Sequence, residues 1–388
     1  MAAPPDTIAA LTRDATTVLP EGELERKLAL GRPLRVKLGI DPTGPDIHLG
    51  FAVVLRRLRA FQDAGHTAVL IVGDYTARIG DPSGRSKERL VLPDEVLDQN
   101  AKLFAEQAYR ILDPERTEIR FNGEWLGRLD YAALVRLTRT GTVARLLERN
   151  DFAERFAQGA PISVSELLYP FAQGYDSVAV EADVEVGGSD QLYNLLMGRD
   201  VMEHYGLEPQ AILTYELLVG TDGKVKMSKS EDNYLGIDEP PEEQFGKVMS
   251  IPDDALEQWW RLTLEAEPPP DADAMTSKLA LARGIVERYH GPEAAAGAEE
   301  HFTRVVRRGE APDEIPEVRL VNSELTHLPA LLVKHLGLPS TSEARRLIAG
   351  GGVKLDGDTV TQMDVPTIRL DGAVVQAGKR RFARIRVA

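Results

Sequence analysis

The chain has 388 residues, more than one compact core usually organises, so two or three domains are expected. Ordinary soluble composition (43% hydrophobic, 28% charged), no bilayer-length apolar run and no signal or transit pattern make the cytoplasm the expected compartment and a membrane partner unexpected. No cysteine is present and the histidines show no close ligand spacing, so disulfides and a protein-bound metal are not expected; the net charge of −15 argues, as an average, against a polyanion as partner.

Leu34–Gly39 alternates apolar and other residues at period two and reads as a strand. Asp41-Pro-Thr-Gly-Pro-Asp-Ile-His48-Leu-Gly50 follows, and then Gly50–Ala64 places Phe51, Val54, Leu55, Leu58 and Phe61 at helical spacing. A glycine at a helix start lets a ligand approach the backbone where helix N–H groups favour phosphate, and His48 adds a donor there. Those ten residues fit a simple Pro/Gly turn equally well. Val69–Val72 is a short continuous apolar run, the mark of a strand buried on both faces. The β-α-β order implies a parallel sheet with a right-handed crossover.

Gly80-Asp-Pro-Ser-Gly-Arg85 lacks the Gly-Lys-Ser/Thr of a P-loop, and no G-x-G-x-x-G follows the first strand. Neither a P-loop ATPase nor a dinucleotide oxidoreductase is supported. Further on, Tyr169, Gln173 and Asp176 stand at i, i+4 and i+7, one narrow stripe of a helix. Three polar tips on one pocket suit a small zwitterion with a polar far end; spacing alone fits a solvated helix edge as well. Pro170 would have to sit in the first turn or at a kink.

A strand at Val184–Val186 leads into Gly187-Gly188-Ser189-Asp190 and a helix from about Gln191 to His204. Ala211–Val219 is a further strand candidate. The loop after it carries Lys226-Met227-Ser228-Lys229-Ser230, two lysines able to close over a triphosphate and neutralise a departing pyrophosphate, although taken alone a short Lys/Ser loop fits a solvated surface. From Pro240 the pattern turns to helices and acidic loops. From His327 to Ala388 there are ten Lys and Arg against five Asp and Glu, leaving 36 against 56 elsewhere. A basic unit on an acidic body is compatible with local nucleic-acid binding.

In this order and spacing, the Asp41–Gly50 and Lys226–Ser230 segments resemble the two signature sequences of class I aminoacyl-tRNA synthetases. Tyr169–Asp176, Gly187–Gln191 and Val72-Gly-Asp through Gly80–Arg89 resemble bacterial tyrosyl-tRNA synthetases. Leu328–Leu338, Ser340–Ile348 and Gly350–Gly357 resemble the S-four RNA-binding domain of ribosomal proteins. The resemblance implies a Rossmann-like parallel-sheet α/β catalytic domain (1–235) with a dimerisation insert (about 125–173). An α-helical anticodon-binding domain (236–320) and a small α+β RNA-binding domain (325–388) would follow.

It also implies adenylation of L-tyrosine by ATP, with Mg²⁺ accompanying the nucleotide, and transfer to tRNA(Tyr) by a homodimer. Thr43, His48, Lys226, Lys229, Arg85 and Arg89 would act on the phosphates. Asp41, Gly50, Gly188, Asp190, Met227, Ser228 and Ser230 would complete the ATP site. Asp81, Tyr169 and Gln173 would hold the tyrosine ammonium, Gln191 would lie near the carboxylate and Asp176 would accept the phenol. Arg345, Arg346 and Lys354 would meet RNA phosphates. Two positions depart from the family pattern. Phe51 stands where relatives often have a second histidine. Lys37 occupies a first-strand position where some have a tyrosine near the substrate hydroxyl; contact with the pocket is expected of it. The rival readings are a tryptophan-specific relative and a catalytically silent RNA-binding paralogue.

Overall fold

The computed structural model describes residues 5–83, 92–307, 315–378 and 381–388. They form two compact units, one of Met1–Glu239 with Lys247–Leu281, the other of Pro240–Gly246 with Ala282–Ala388.

The first unit is built on a six-stranded sheet of β1 (Ala15–Leu19), β2 (Arg35–Ile40), β3 (Thr67–Val72), β4 (Thr117–Phe121), β5 (Val184–Gly188) and β6 (Ala211–Tyr215), in the order β1-β6-β5-β2-β3-β4. All neighbours are parallel except the edge pair β1–β6. Of the parallel strands, β3 is largely apolar and β5 and β6 are buried at every residue, as strands covered on both faces are. Helix Leu49–Asp63 lies between β2 and β3 in sequence and buries Val53, Leu55, Leu58 and Phe61. Strands β2, β3 and β4 succeed one another outward on one side of β2, and β5 then returns to its other side. In such sheets a crevice opens beyond the strand ends where the order reverses. Here that point lies just after Ile40 and at Gly187-Gly188.

The expected strand at 211–219 ends at Tyr215, and its continuation is irregular. Strands β1 and β4 lie outside the sequence expectation, being short and without a fully buried residue, so that they carry little periodicity. Helix Val164–Ala179 is capped by Glu166, whose Oε2 accepts from the Ser163 N–H at 2.9 Å. Pro170 sits inside this helix, beyond the first turn, so the first of its two expected placements is excluded. The cap and burial against the neighbouring helix Leu192–His204 compensate the lost backbone donor.

In the second unit, a five-stranded sheet joins Val353–Leu355, Asp358–Thr359, Val374–Ala377, Arg381–Val387 and Glu317–Leu320. Its core packs Leu328, Leu332 and Leu336 of helix Leu328–Leu336 with Ile348 of helix Thr341–Ala349 and Val375 and Ile385 of the sheet. Glu317–Leu320 pairs in parallel with Arg384–Val387, so this strand belongs with the C-terminal elements. Its partner is the last strand of the chain, beyond the reach of local pattern.

Candidate active site

A cavity of about 590 Å³ opens at the switch point. It is lined by Asp41, Thr43, His48 and Gly50 after β2, by Asp81, by Tyr169, Gln173 and Asp176 of one helix, by Gly188, Asp190 and Gln191, and by Lys226 to Ser230. Two segments far apart in sequence, Asp41–Gly50 and Lys226–Ser230, thus share one wall. Backbone pairing ties the first to the chain just after the second: Leu49 N–H donates to Leu235 O and Ile237 N–H to Ile47 O, each at 2.9 Å.

His48 is the residue before helix Leu49–Asp63. Its ring is buried, stacked on Phe51 at 4.2 Å between centroids, and Phe51 meets Phe104 edge-on. Burial, with the Lys229 charge adding to it, lowers the imidazole pKa to about 3. His48 Nδ1 has no hydrogen-bond partner among the described residues. Lys229 donates to Asp46 O and lies over Gly44, where a Cβ would stand 2.5 Å from Nζ. Burial brings the Lys229 ammonium down to about 8, against the pull of Asp46. Lys226 Nζ pairs with Asp190 Oδ2 at 2.6 Å.

At the other end, Asp176 is 3% exposed. Trp125 Nε1 donates to its Oδ1 at 2.8 Å and Asn122 Nδ2 to its Oδ2 at 3.2 Å. Burial pushes the carboxyl up to about 7, opposed by Lys37 and by these two donors. Asn122 Nδ2 also donates to Thr76 Oγ1, which donates to Asp41 Oδ1 at 2.7 Å, and Asp41 Oδ2 accepts from Tyr169 Oη at 2.9 Å. One chain of hydrogen bonds therefore connects the buried carboxyl to the Asp41–Gly50 segment. Asn122 and Trp125 reach Asp176 across 54 and 51 residues, and no local signal in the sequence marks them. Thr76, beside Asp41, was likewise missed.

Lys37 does not line the cavity, which corrects the expected contact. It is fully buried behind the wall, 2.8 Å from Glu185 Oε1, and donates to Gln173 O at 3.0 Å and Ser177 Oγ at 2.8 Å. A buried ammonium is held by a carboxylate whenever one is in reach, and the neighbouring strand supplies Glu185. Asp81 accepts from Gln191 Nε2 at 3.0 Å, and Gln173 Nε2 donates to Glu185 Oε1 at 3.2 Å. Arg85 and Arg89 lie outside the described residues. In the second unit, Arg345 and Arg346 are exposed on helix Thr341–Ala349, and Lys354 is half-buried on Val353–Leu355. Among the described residues, no group of three or more His, Asp or Glu is placed to hold a metal ion.

The family of class I tRNA synthetases (W and Y) matches residues 29–307. A tyrosine–tRNA ligase of Thermotoga maritima is 48% identical, the alignment covering 98% of each chain. That of Moorella thermoacetica is 47% identical over 97% of this chain and 94% of its own. In fold, the chain is similar to a C-terminally truncated mitochondrial tyrosyl-tRNA synthetase of Aspergillus nidulans, with a TM-score of 0.63 and 21% identity over 76% of this chain and 92% of that one. With the signature segments on one wall of a switch-point cavity and near-full-length identity to these ligases, the chain belongs to the class I tRNA synthetases (W and Y), among the tyrosine–tRNA ligases.

Proposed function

We propose that the chain activates L-tyrosine with ATP to tyrosyl-adenylate and pyrophosphate, then transfers tyrosine to the 3′-terminal adenosine of tRNA(Tyr). The observation that carries this reading is the one cavity that joins both signature segments to a buried Asp176 already held by Trp125 and Asn122.

In the first step the tyrosine carboxylate attacks the α-phosphorus and the bond to the pyrophosphate oxygen breaks. No protein nucleophile is needed, so catalysis rests on positioning and charge. His48, neutral at working pH, serves with Thr43 as a hydrogen-bonding contact to the phosphates and not as an acid. Lys226 and Lys229 hold the leaving pyrophosphate, exchanging Asp190 and Asp46 O for phosphate oxygens. Asp190, released from Lys226, is then available to the nucleotide sugar. Arg85 and Arg89 are proposed for the same phosphates, and Mg²⁺ enters with ATP as part of that substrate.

Asp81, Tyr169 and Gln173 take the ammonium, Gln191 the carboxylate and Asp176 the phenol. Phenylalanine would bring no donor to Asp176, leaving the lone pair that faces the ligand unfilled in a buried site although Trp125 and Asn122 still hold the two oxygens. In the second step the terminal ribose hydroxyl attacks the carbonyl and AMP leaves. Arg345, Arg346 and Lys354 contact tRNA phosphates, residues 236–320 the anticodon side. The insert forms a homodimer: Tyr131, Val143, Phe156 and Val164 are 82, 61, 66 and 75% exposed there. The proposed compartment is the cytoplasm; no described helix is long and apolar enough to cross a membrane.

ATP–pyrophosphate exchange, measured with each candidate amino acid, tests this directly. Exchange with tyrosine is expected and exchange with tryptophan alone would overturn the assignment. No exchange with any amino acid would favour the silent paralogue.

A further inference from the structure

Arg149 precedes helix Asn150–Ala157 in the insert, is buried, and does not line the cavity. Its Nε and Nη2 grip the two oxygens of Asp151 at 3.0 and 2.7 Å, and its guanidinium lies near the rings of Phe152 and Tyr193. Nη2 also donates to Ser83 Oγ at 3.2 Å, and Nη1 donates to Asn194 Oδ1 at 2.8 Å. Asn194 Nδ2 donates to Gln191 Oε1 at 3.0 Å, and Gln191 Nε2 donates to Asp81 Oδ2 at 3.0 Å.

The direction of this chain is fixed from both ends. A guanidinium only donates and an ionised carboxylate only accepts, so each amide between them has one orientation. Asn194 must turn its oxygen to Arg149 and its NH₂ to Gln191. Gln191 must then turn its oxygen to Asn194 and its NH₂ to Asp81. One hydrogen of that NH₂ is committed to Asp81, and the second is left for an acceptor in the cavity. Reversed, Gln191 would set its oxygen against the Asp81 carboxylate and offer the cavity no donor.

We propose that Arg149 is a positioning residue for the amino-acid head group, fixing through Asn194 which end of the Gln191 amide meets Asp81 and the substrate carboxylate. The inference rests on the tyrosine-activation reading above. It gives the insert a part in substrate recognition besides its surface.

The informative variant is Asn194→Asp in the full chain. An aspartate oxygen still accepts from Arg149, so the arginine keeps its partners, but the NH₂ that orients Gln191 is gone. In tyrosine-dependent ATP–pyrophosphate exchange, KM for tyrosine is expected to rise about tenfold, the size of one hydrogen bond to a charged group. KM for ATP and kcat should stay within about twofold, because the phosphate side is untouched. Arg149→Met should shift KM for tyrosine the same way, and Arg149→Lys, which keeps a cationic donor but not the fork, should recover part of the loss. Binding of tyramine, which lacks the carboxylate, should weaken less than that of tyrosine.

A folded Asn194→Asp variant with wild-type KM for tyrosine would overturn the proposal, as would equal rises in both KM values. If the wild-type chain exchanged with tryptophan only, the tyrosine reading and this inference would fall together. A tyrosine-active chain with an unaltered variant sinks the inference alone.

Discussion

Asp176 and Lys229 set opposite limits on pH. Asp176, at about 7, carries its own proton below that value, and this O–H competes with the phenol for the role of donor. Lys229, at about 8, loses its charge above that value and with it the attraction for pyrophosphate. The ratio kcat/KM for tyrosine in exchange should therefore rise towards pH 7 and fall beyond about 8, a bell reporting the free enzyme. Asp176→Asn should remove the acid limb along with most tyrosine affinity. Stability runs the other way at this group: a raised folded pKa favours the fold below the unfolded value of 3.8, and that contribution is lost as pH rises through about 7. His48, near 3, contributes no limb in this range. Lys229→Ala should slow adenylate formation by roughly 10²–10³-fold, the usual loss of one charge-stabilising donor. Retention of tRNA on a filter should barely change; adenylation at the wild-type rate would remove Lys229 from the mechanism. At this scale the sequence was informative where residues are close along the chain. His48, Gly50 and the two lysines announce themselves as motifs. The stacking of Phe51 on His48 does not, because only the folded helix start brings the two rings together.

Among the elements, β2 and β5 carry the consequential pairing. Lys37 and Glu185 are register partners on neighbouring strands, both buried and ion-paired. Glu185 also accepts from Gln173, Ser177 and Gln210, so the pair holds the helix Val164–Ala179 against the sheet behind the substrate wall. Lys37→Met would leave a buried carboxylate without its counter-charge, and chemical denaturation should show a loss of about 3–5 kcal/mol. Lys37→Met combined with Glu185→Gln should recover part of that loss, because no charge remains to be buried. From the sequence, Lys37 looks like the polar step of an alternating strand. Its partner lies far along the chain, after β3, β4 and the whole insert, and alternation cannot reveal that both faces are covered. The same distance effect hid β4 and the strand at Glu317–Leu320, whereas Val69–Val72 was legible as a short apolar run and Val184–Val186 as a strand-like stretch before a glycine pair. Gly73 shows the reverse case, a residue whose reason lies wholly in the fold. A Cβ there would fall 2.2 Å from Asp41 Oδ1 and 2.3 Å from Thr76 Oγ1, so an alanine would break the link between Asp41 and Thr76.

For the whole molecule, the basic C-terminal segment and the acidic remainder imply that RNA affinity and adenylation can be separated. Replacing Arg345 and Arg346 together by glutamate should leave tyrosine-dependent exchange unchanged. The salt dependence of tRNA binding should flatten by about two on the logarithmic slope, one for each lost phosphate contact. An unchanged slope would take these two arginines out of the RNA contact. The basic C-terminal segment was readable because composition changes along the chain; the assembly of the cavity was not, because it draws on segments from Asp41 to Ser230. That distribution has a consequence for how the protein comes into being. Seating β5 beside β2 closes a long loop that contains β3, β4 and the insert, and such non-local closure is slow. During refolding, tyrosine-dependent exchange should therefore lag behind the recovery of helical circular dichroism and appear with the last sheet contacts, so that a half-folded chain is inactive rather than half-active.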